Sequence, residues 1–121
     1  MSESRRGIAI ILAHADAASA RSAFTLALTA RLAEDPAAVF ITSDALDWVC
    51  AAPTGDAGLE DNAPVRTLRD ELIAAEGGLI ACSASLEQAE LGRGDLLDGV
   101  QVAGAMRFYQ HATNSAVSLY I

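Results

Sequence analysis

The sequence contains no lysine: its eight basic residues are all arginines, set against sixteen acidic residues, and the formal net charge is −8. Binding to nucleic acid through phosphate neutralisation needs a basic surface, which this balance does not favour. Aromatic residues make up only 5% of the chain, so a surface for base stacking is not indicated either. We therefore expect no nucleic-acid partner.

Long apolar runs are also absent, since crossing a bilayer takes roughly 20 residues and the runs here are much shorter. The charged N-terminal segment leads into an apolar run that is too short for a signal peptide. A hydrophobic content of 52% is enough for one buried core in a chain of 121 residues. We expect one domain over residues 1–121, located in the cytoplasm and without a membrane partner.

Cysteine is scarce, and the two thiols, Cys50 and Cys82, lie far apart without the spacing of a metal site or a disulfide framework. The glycines of GRGDLLDG, residues 92–99, do not follow a strand and open a helix as phosphate-binding loops do. The sequence therefore predicts neither a metal nor an organic cofactor.

Short apolar runs alternate with helical patterns along the chain. The predicted strands are 7–13, 38–42, 79–82, 100–104 and 117–121. The predicted helices are 17–34, a short one after 42, 64–76, 83–91 and 105–112. Residues 51–64 are rich in proline, glycine and acids and are predicted to be a surface loop. Strands joined by helical crossovers predict an α/β fold with a parallel sheet and helices on both faces.

Several polar or small residues follow the predicted strands directly. His14 follows the first strand, Ser43 the second, and Gly104 closes the fourth, while Cys82 closes the third. In open α/β sheets, ligands bind beyond the carboxyl ends of the strands, so we expect these residues on one rim. If the strand order is the common 2-1-3-4-5, His14 and Cys82 approach each other and His14 is a candidate for proton transfer.

Cys82 stands where a predicted strand passes into a predicted helix. A thiol at a helix start faces unpaired N–H groups and the positive end of the helix dipole, both of which favour the nucleophilic thiolate. The hydroxyl groups of Ser83 and Ser85 are then placed to cap the helix or to hydrogen-bond the sulfur. The alternative is that Cys82 fills the core as a small hydrophobic residue, as free cysteines often do.

The segments ACSASLEQAEL and LLDGVQVAGAMRFYQHATNSAVSLYI resemble the DsrE/DsrF-like family of small sulfur-relay proteins, in the branch labelled peroxiredoxin-like. The matching positions are Cys82, Ser85, Leu96 to Val100, Gly104 and Leu119 to Ile121. The peroxidatic Pro-x-x-x-Thr-x-x-Cys arrangement is absent around both cysteines, so the label does not predict a peroxidase.

The resemblance implies a flavodoxin-like three-layer sandwich with a five-stranded, mostly parallel sheet, assembled into homotrimers or hexamers. It also implies that Cys82, the only residue to inherit a chemical role, carries sulfane sulfur as a persulfide between donor and acceptor proteins. From their places on the rim, we predict Ser83, Ser85 and Gly104 to be binding residues. Two alternatives stay open. One is an oligomeric module that binds a small ligand or a partner without covalent chemistry, and the other is a redox switch in which Cys50 resolves an oxidised Cys82.

Overall fold

The computed structural model describes residues 5–121. The strands are β1 (Ile8–Leu12), β2 (Ala37–Ile41), β3 (Leu79–Cys82), β4 (Gln101–Ala103) and β5 (Val117–Tyr120). The α-helices are α1 (Ala17–Leu32), α2 (Ala63–Ala74), α3 (Ser83–Gln88) and α4 (Ala105–Thr113). Short 3-10 helices cover Ser43–Val49, Asp56–Gly58, Glu60–Asn62 and Arg93–Asp95. All strand pairs are parallel, in the order β4-β3-β2-β1-β5. The predicted α/β fold is therefore confirmed.

One face of the sheet carries the main core, beneath α1 and α2. Alternate residues of the central strands point to this face, as the two-residue repeat of a strand requires. They are Ile8, Ile10, Leu12, Val39, Ile41, Leu79 and Ala81. Phe24 of α1 and the buried Trp48 meet edge to face at a ring separation of 6.2 Å, and the Trp48 indole N–H donates to the Ala15 carbonyl at 2.7 Å. These contacts fix the 3-10 helix Ser43–Val49 against α1.

The opposite face has a much thinner cover, supplied by α4. Ala38, Phe40 and Ile80 form a small buried cluster there, and Phe108 of α4 stacks on Phe40 with ring centroids 5.1 Å apart. Every side chain of α4 and β5 is at least partly exposed. The two faces of the sheet are thus covered unequally.

The face of the sheet that each helix covers follows from the strand order and the handedness of the crossovers. Successive right-handed crossovers from β1 to β4 step in one direction across the sheet, and their helices lie on one face. The last crossover returns across the sheet to place β5 beside β1, so its helix, α4, lies on the other face. The order 2-1-3-4-5 is wrong for this chain, because β2 lies between β1 and β3.

The loop over residues 51–64 is built around one carboxylate. Asp47 accepts hydrogen bonds from the backbone N–H groups of Thr54, Gly55 and Ala57 at 2.9, 3.1 and 3.0 Å. The sequence did not single out Asp47, because its partners lie seven to ten residues further along the chain. The predicted surface loop is present and contains two 3-10 turns.

No helix among residues 5–121 combines the length and the apolar character needed to cross a bilayer.

Candidate functional site

Cys82 is the last residue of β3 and the N-cap of α3, as its sequence context predicts. A side chain at Gly78, just before β3, would collide with the carbonyl oxygen of Ala37, so this glycine lets β3 pair closely with β2. The two-residue repeat turns Cys82 to the α4 face, where it packs against the cluster around Phe40. Its side chain is half-buried and the thiol is free. Cys82 therefore packs against apolar side chains while part of the residue stays exposed to solvent.

Two helices begin beside this thiol. α3 starts at the next residue, and α4 starts two residues after Ala103, which is the register partner of Cys82 in β4. The first N–H groups of a helix have no partner within the helix and carry partial positive charge. The surroundings of Cys82 are therefore rich in backbone hydrogen-bond donors.

Ser85 connects the first turn of α3 to the end of β2. Its hydroxyl oxygen accepts a hydrogen bond from the Ser43 backbone N–H at 3.1 Å. Ser43 has a φ of +53°, in the left-handed region that costs a residue with a side chain about 1–2 kcal/mol. Backbone strain of this kind persists where the surrounding structure holds it in place, often next to functional sites. The sequence placed Ser43 on the rim, but its conformation and its bond to Ser85 follow only from the fold.

Ser83 and Gly104 lie next to each other on the same rim, after the ends of β3 and β4. A Cβ atom placed on Gly104 would be 3.6 Å from the Ser83 hydroxyl oxygen, an ordinary van der Waals distance. The φ of Gly104 is −94°, which any residue adopts, so its backbone does not require glycine. The effect of Gly104 is to leave space beside Ser83. Cys82, Ser83, Ser85 and Gly104 are thus brought together as the sequence predicted.

His14 lies apart from this group. Its exposed ring makes an edge-to-face contact with Tyr120 of β5 at a ring separation of 6.3 Å. Because β2 separates β1 from β3, the strands that lead to His14 and Cys82 are about 10 Å apart. The predicted approach of His14 to Cys82 depended on the wrong strand order and does not occur within this chain.

Cys50 has a different environment from Cys82. Its thiol donates a hydrogen bond to the Leu46 carbonyl at 3.2 Å, in the layer on the α2 side of the sheet. Burial raises the pKa of Cys50, and the nearby carboxylates of Asp47 and Asp95 raise it further. Cys82 packs against the Phe40 cluster on the α4 face, whereas Cys50 contacts none of that cluster, and both thiols are free.

Groups of three or more His, Cys, Asp or Glu placed to hold a metal ion are absent from the part of the chain that the structure describes.

These features define an α/β domain with a half-buried free thiol at the carboxyl edge of a parallel sheet. The chain belongs to the DsrE/DsrF-like family, whose family model matches residues 6–118. A curated relative, the sulfur carrier protein DsrE2 of Allochromatium vinosum, is 34% identical over 59 residues, covering 49% of this chain and 37% of that protein. The match thus spans little more than a third of the relative's length.

Two solved structures share the fold. The YchN protein of E. coli superimposes with a TM-score of 0.74 at 16% identity, over 98% of this chain and 100% of that one. The protein MTH1491 of Methanobacterium thermoautotrophicum, described as of unknown function, gives a TM-score of 0.61 at 19% identity, over 94% and 98% of the two chains. At these identities the similarity shows the fold alone, and it confirms the expected flavodoxin-like sandwich.

Proposed function

We propose that this protein is a sulfur carrier that holds sulfane sulfur as a persulfide on Cys82. The observation that carries the proposal is the half-buried free thiol at the junction of β3 and α3. Membership of the DsrE/DsrF-like family and similarity to a protein named as a sulfur carrier support the same chemistry. The natural partners are a protein that donates sulfur and a protein that accepts it.

The transfer is an exchange between thiolates and needs no external oxidant. The Cys82 thiolate attacks the outer sulfur of a donor persulfide R–S–SH; the new bond joins Sγ to that sulfur, and the donor's S–S bond breaks. The donor leaves as the thiolate R–S⁻, and the protein holds Cys82–S–SH. An acceptor thiolate then attacks the outer sulfur, and the Cys82 thiolate is the leaving group.

Backbone amides supply the electrostatic part of the proposal. Both the attacking thiolate and the persulfide anion carry negative charge at the start of α3 and beside the start of α4. Fixed N–H dipoles stabilise such charge without having to reorganise during the reaction. The apolar wall around Phe40 limits the competing access of water to the sulfur.

Ser85 and Ser83 complete the proposed site. Since the Ser85 hydroxyl oxygen accepts from Ser43, its own O–H remains free to donate to a negatively charged sulfur. Ser83 and the open space at Gly104 border the direction from which a partner's sulfur would arrive. His14 has no part in the transfer within one chain, and we assign it none.

The homotrimer or hexamer that the family resemblance implies also belongs to this proposal. Apolar side chains are exposed on the elements that follow the site in the chain. They are Met106, Tyr109, Val117, Leu119 and Tyr120, with exposed fractions from 37 to 69%. Association of copies through α4 and β5 would cover these side chains.

Intact-mass measurement after incubation with glutathione persulfide tests the proposal. The wild-type protein should become one sulfur atom heavier, and cyanide should remove the added sulfur as thiocyanate. Cys82→Ser should gain nothing, whereas Cys50→Ser, which removes the other thiol, should gain sulfur as the wild type does. Each variant should first be shown to unfold cooperatively in urea.

Two results would overturn the assignment. Addition of sulfur to Cys82→Ser but not to Cys50→Ser would move the chemistry to Cys50. A wild-type mass that stays unchanged would instead favour the binding module without covalent chemistry.

A further inference from the structure

A cavity lies at the edge of the sheet opposite to the edge that carries Cys82. Its volume is about 230 Å³, and its floor is formed where β1 and β2 begin, at Ile8 and Ala37. Strands of this length separate the two edges by roughly 15 Å. The cavity is therefore independent of the thiol site.

The walls of the cavity are rich in hydrogen-bond donors. Arg6 borders one side, and Arg107, Gln110, His111 and Asn114 border the other. The guanidinium of Arg107 makes no hydrogen bond or ion pair with any residue in the range 5–121. An arginine side chain offers five N–H donors and no acceptor, and an amide offers two N–H donors.

The charge around the cavity is opposite in sign to that of the whole chain. Arg6 is partly neutralised, since its Nε donates to Asp35 at 2.6 Å, but Arg107 is not. Among residues 5–121, the lining of the cavity contains two guanidinium groups and no carboxylate, and Asp35 outside the lining pairs with one of them, in a protein of net charge −8. A local positive excess in a partly enclosed space attracts anions more strongly than an open surface does.

The wall on the α4 side is a polar stripe that lies beside the apolar position facing the sheet. Arg107, His111 and Asn114 follow at spacings of four and three, so they share one side of the helix. A helix packed on a sheet normally turns an apolar stripe towards it, and on α4 Phe108 occupies that position. The polar stripe next to Phe108 contributes little to packing, so its side chains are available to a ligand in the cavity.

We propose that this cavity binds a compact oxyanion of the phosphate or sulfate type. Planar guanidinium groups pair with such oxygens through two parallel hydrogen bonds, and these are among the strongest in proteins. One water molecule occupies about 30 Å³ in the liquid, so the cavity has room for a tetrahedral anion with part of its hydration shell or for a small phosphorylated molecule.

The two histidines of the chain provide a built-in test by NMR. His111 lines the cavity, whereas His14 lies at the other edge of the sheet. Inorganic phosphate, titrated at fixed pH and at an ionic strength held constant with chloride, should shift the His111 ring signals in a saturable way and leave those of His14 in place. A titration with succinate is the control. A site for carboxylates in general would shift the His111 signals as much with succinate as with phosphate, whereas the proposed site for tetrahedral oxyanions would not.

Arg107→Met should weaken phosphate binding by about tenfold or more, because one charge-assisted hydrogen bond accounts for that factor. Arg107→Lys keeps the charge and should retain more affinity than Arg107→Met. Arg93→Met removes an exposed arginine outside the cavity and should bind as the wild type does. An unresponsive His111, equal shifts of both histidines, or unchanged binding in Arg107→Met would each overturn the proposal.

Discussion

At the scale of single residues, the two cysteines show how far local sequence determines chemistry. Cys82 could be predicted because the residues that place it, an apolar run and a helix start, adjoin it in the chain. The environment of Cys50 could not, since Asp95, which contributes to its raised pKa, lies 45 positions away. The same side chain therefore has different surroundings at the two positions, and local sequence revealed only those of Cys82.

We predict that Cys50 in the folded protein is alkylated more slowly by iodoacetamide than in the unfolded chain. The thiolate is the reactive form, and burial together with Asp47 and Asp95 raises the pKa of Cys50. In the pH range between the unfolded and folded pKa values, the unfolded chain holds thiolate while the folded chain holds thiol. The stability that this thiol contributes is complete below the unfolded pKa and is lost as the pH rises through the folded pKa.

The measurement uses Cys82→Ser, so that Cys50 is the only thiol, with and without urea across a series of pH values. Asp95→Asn should speed alkylation of the folded protein, because it removes one of the charges that disfavour thiolate. Asp98→Asn, an exposed acid not involved in the shift, serves as the control. Equal rates in the folded and unfolded protein at every pH would show that the environment of Cys50 is ordinary.

At the scale of elements, strands were easier to predict than helix ends. Each strand coincides with an apolar run, but α1 and α3 end at Leu32 and Gln88, two and three residues earlier than predicted. In both helices an alanine C-cap precedes a glutamate with positive φ, +63° at Glu34 and +57° at Glu90. Glycine normally marks this left-handed position, so the sequence lacked the signal that would have located these ends.

We therefore predict that Glu34→Gly and Glu90→Gly each stabilise the protein by about 1 kcal/mol. Glycine adopts the left-handed conformation without the strain of a side chain, and the change removes a negative charge from the negative end of a helix. Urea unfolding at neutral pH measures the difference. Glu71→Gly, at an exposed position within α2, is the matched control and should destabilise by about 1 kcal/mol. Destabilisation at all three positions would show that the positive φ angles of Glu34 and Glu90 do not lower the free energy of unfolding.

At the scale of the whole molecule, the unequal cover of the sheet is the feature that sequence patterns could not reveal. Apolar runs predict that strands are buried, but not which face each crossover helix covers. The return of the chain to place β5 beside β1 leaves α4 alone against one face. This strand order also removes the condition, β1 beside β3, on which the expected approach of His14 to Cys82 depended. The residues around Cys82 could be grouped from the sequence because they are close in the chain or on neighbouring strands.

The same unequal cover leads to a prediction about assembly. A stable interface buries about 800 Å² per partner, a modest share of the 6735 Å² that one chain exposes, and the exposed apolar side chains on α4 and β5 would form the apolar part of such an interface. We expect sedimentation at micromolar concentration to give a mass of three or six times 12.5 kDa.

Two substitutions on α4 test this interface. Met106→Glu and Tyr109→Glu should each shift the protein towards the monomer, because a carboxylate buried without a partner opposes association. Leu32→Glu replaces an equally exposed apolar residue at the end of α1 and should leave the mass unchanged. A wild-type protein that sediments as a monomer would instead mean that this surface stays open, and that Cys82 acts in isolated chains.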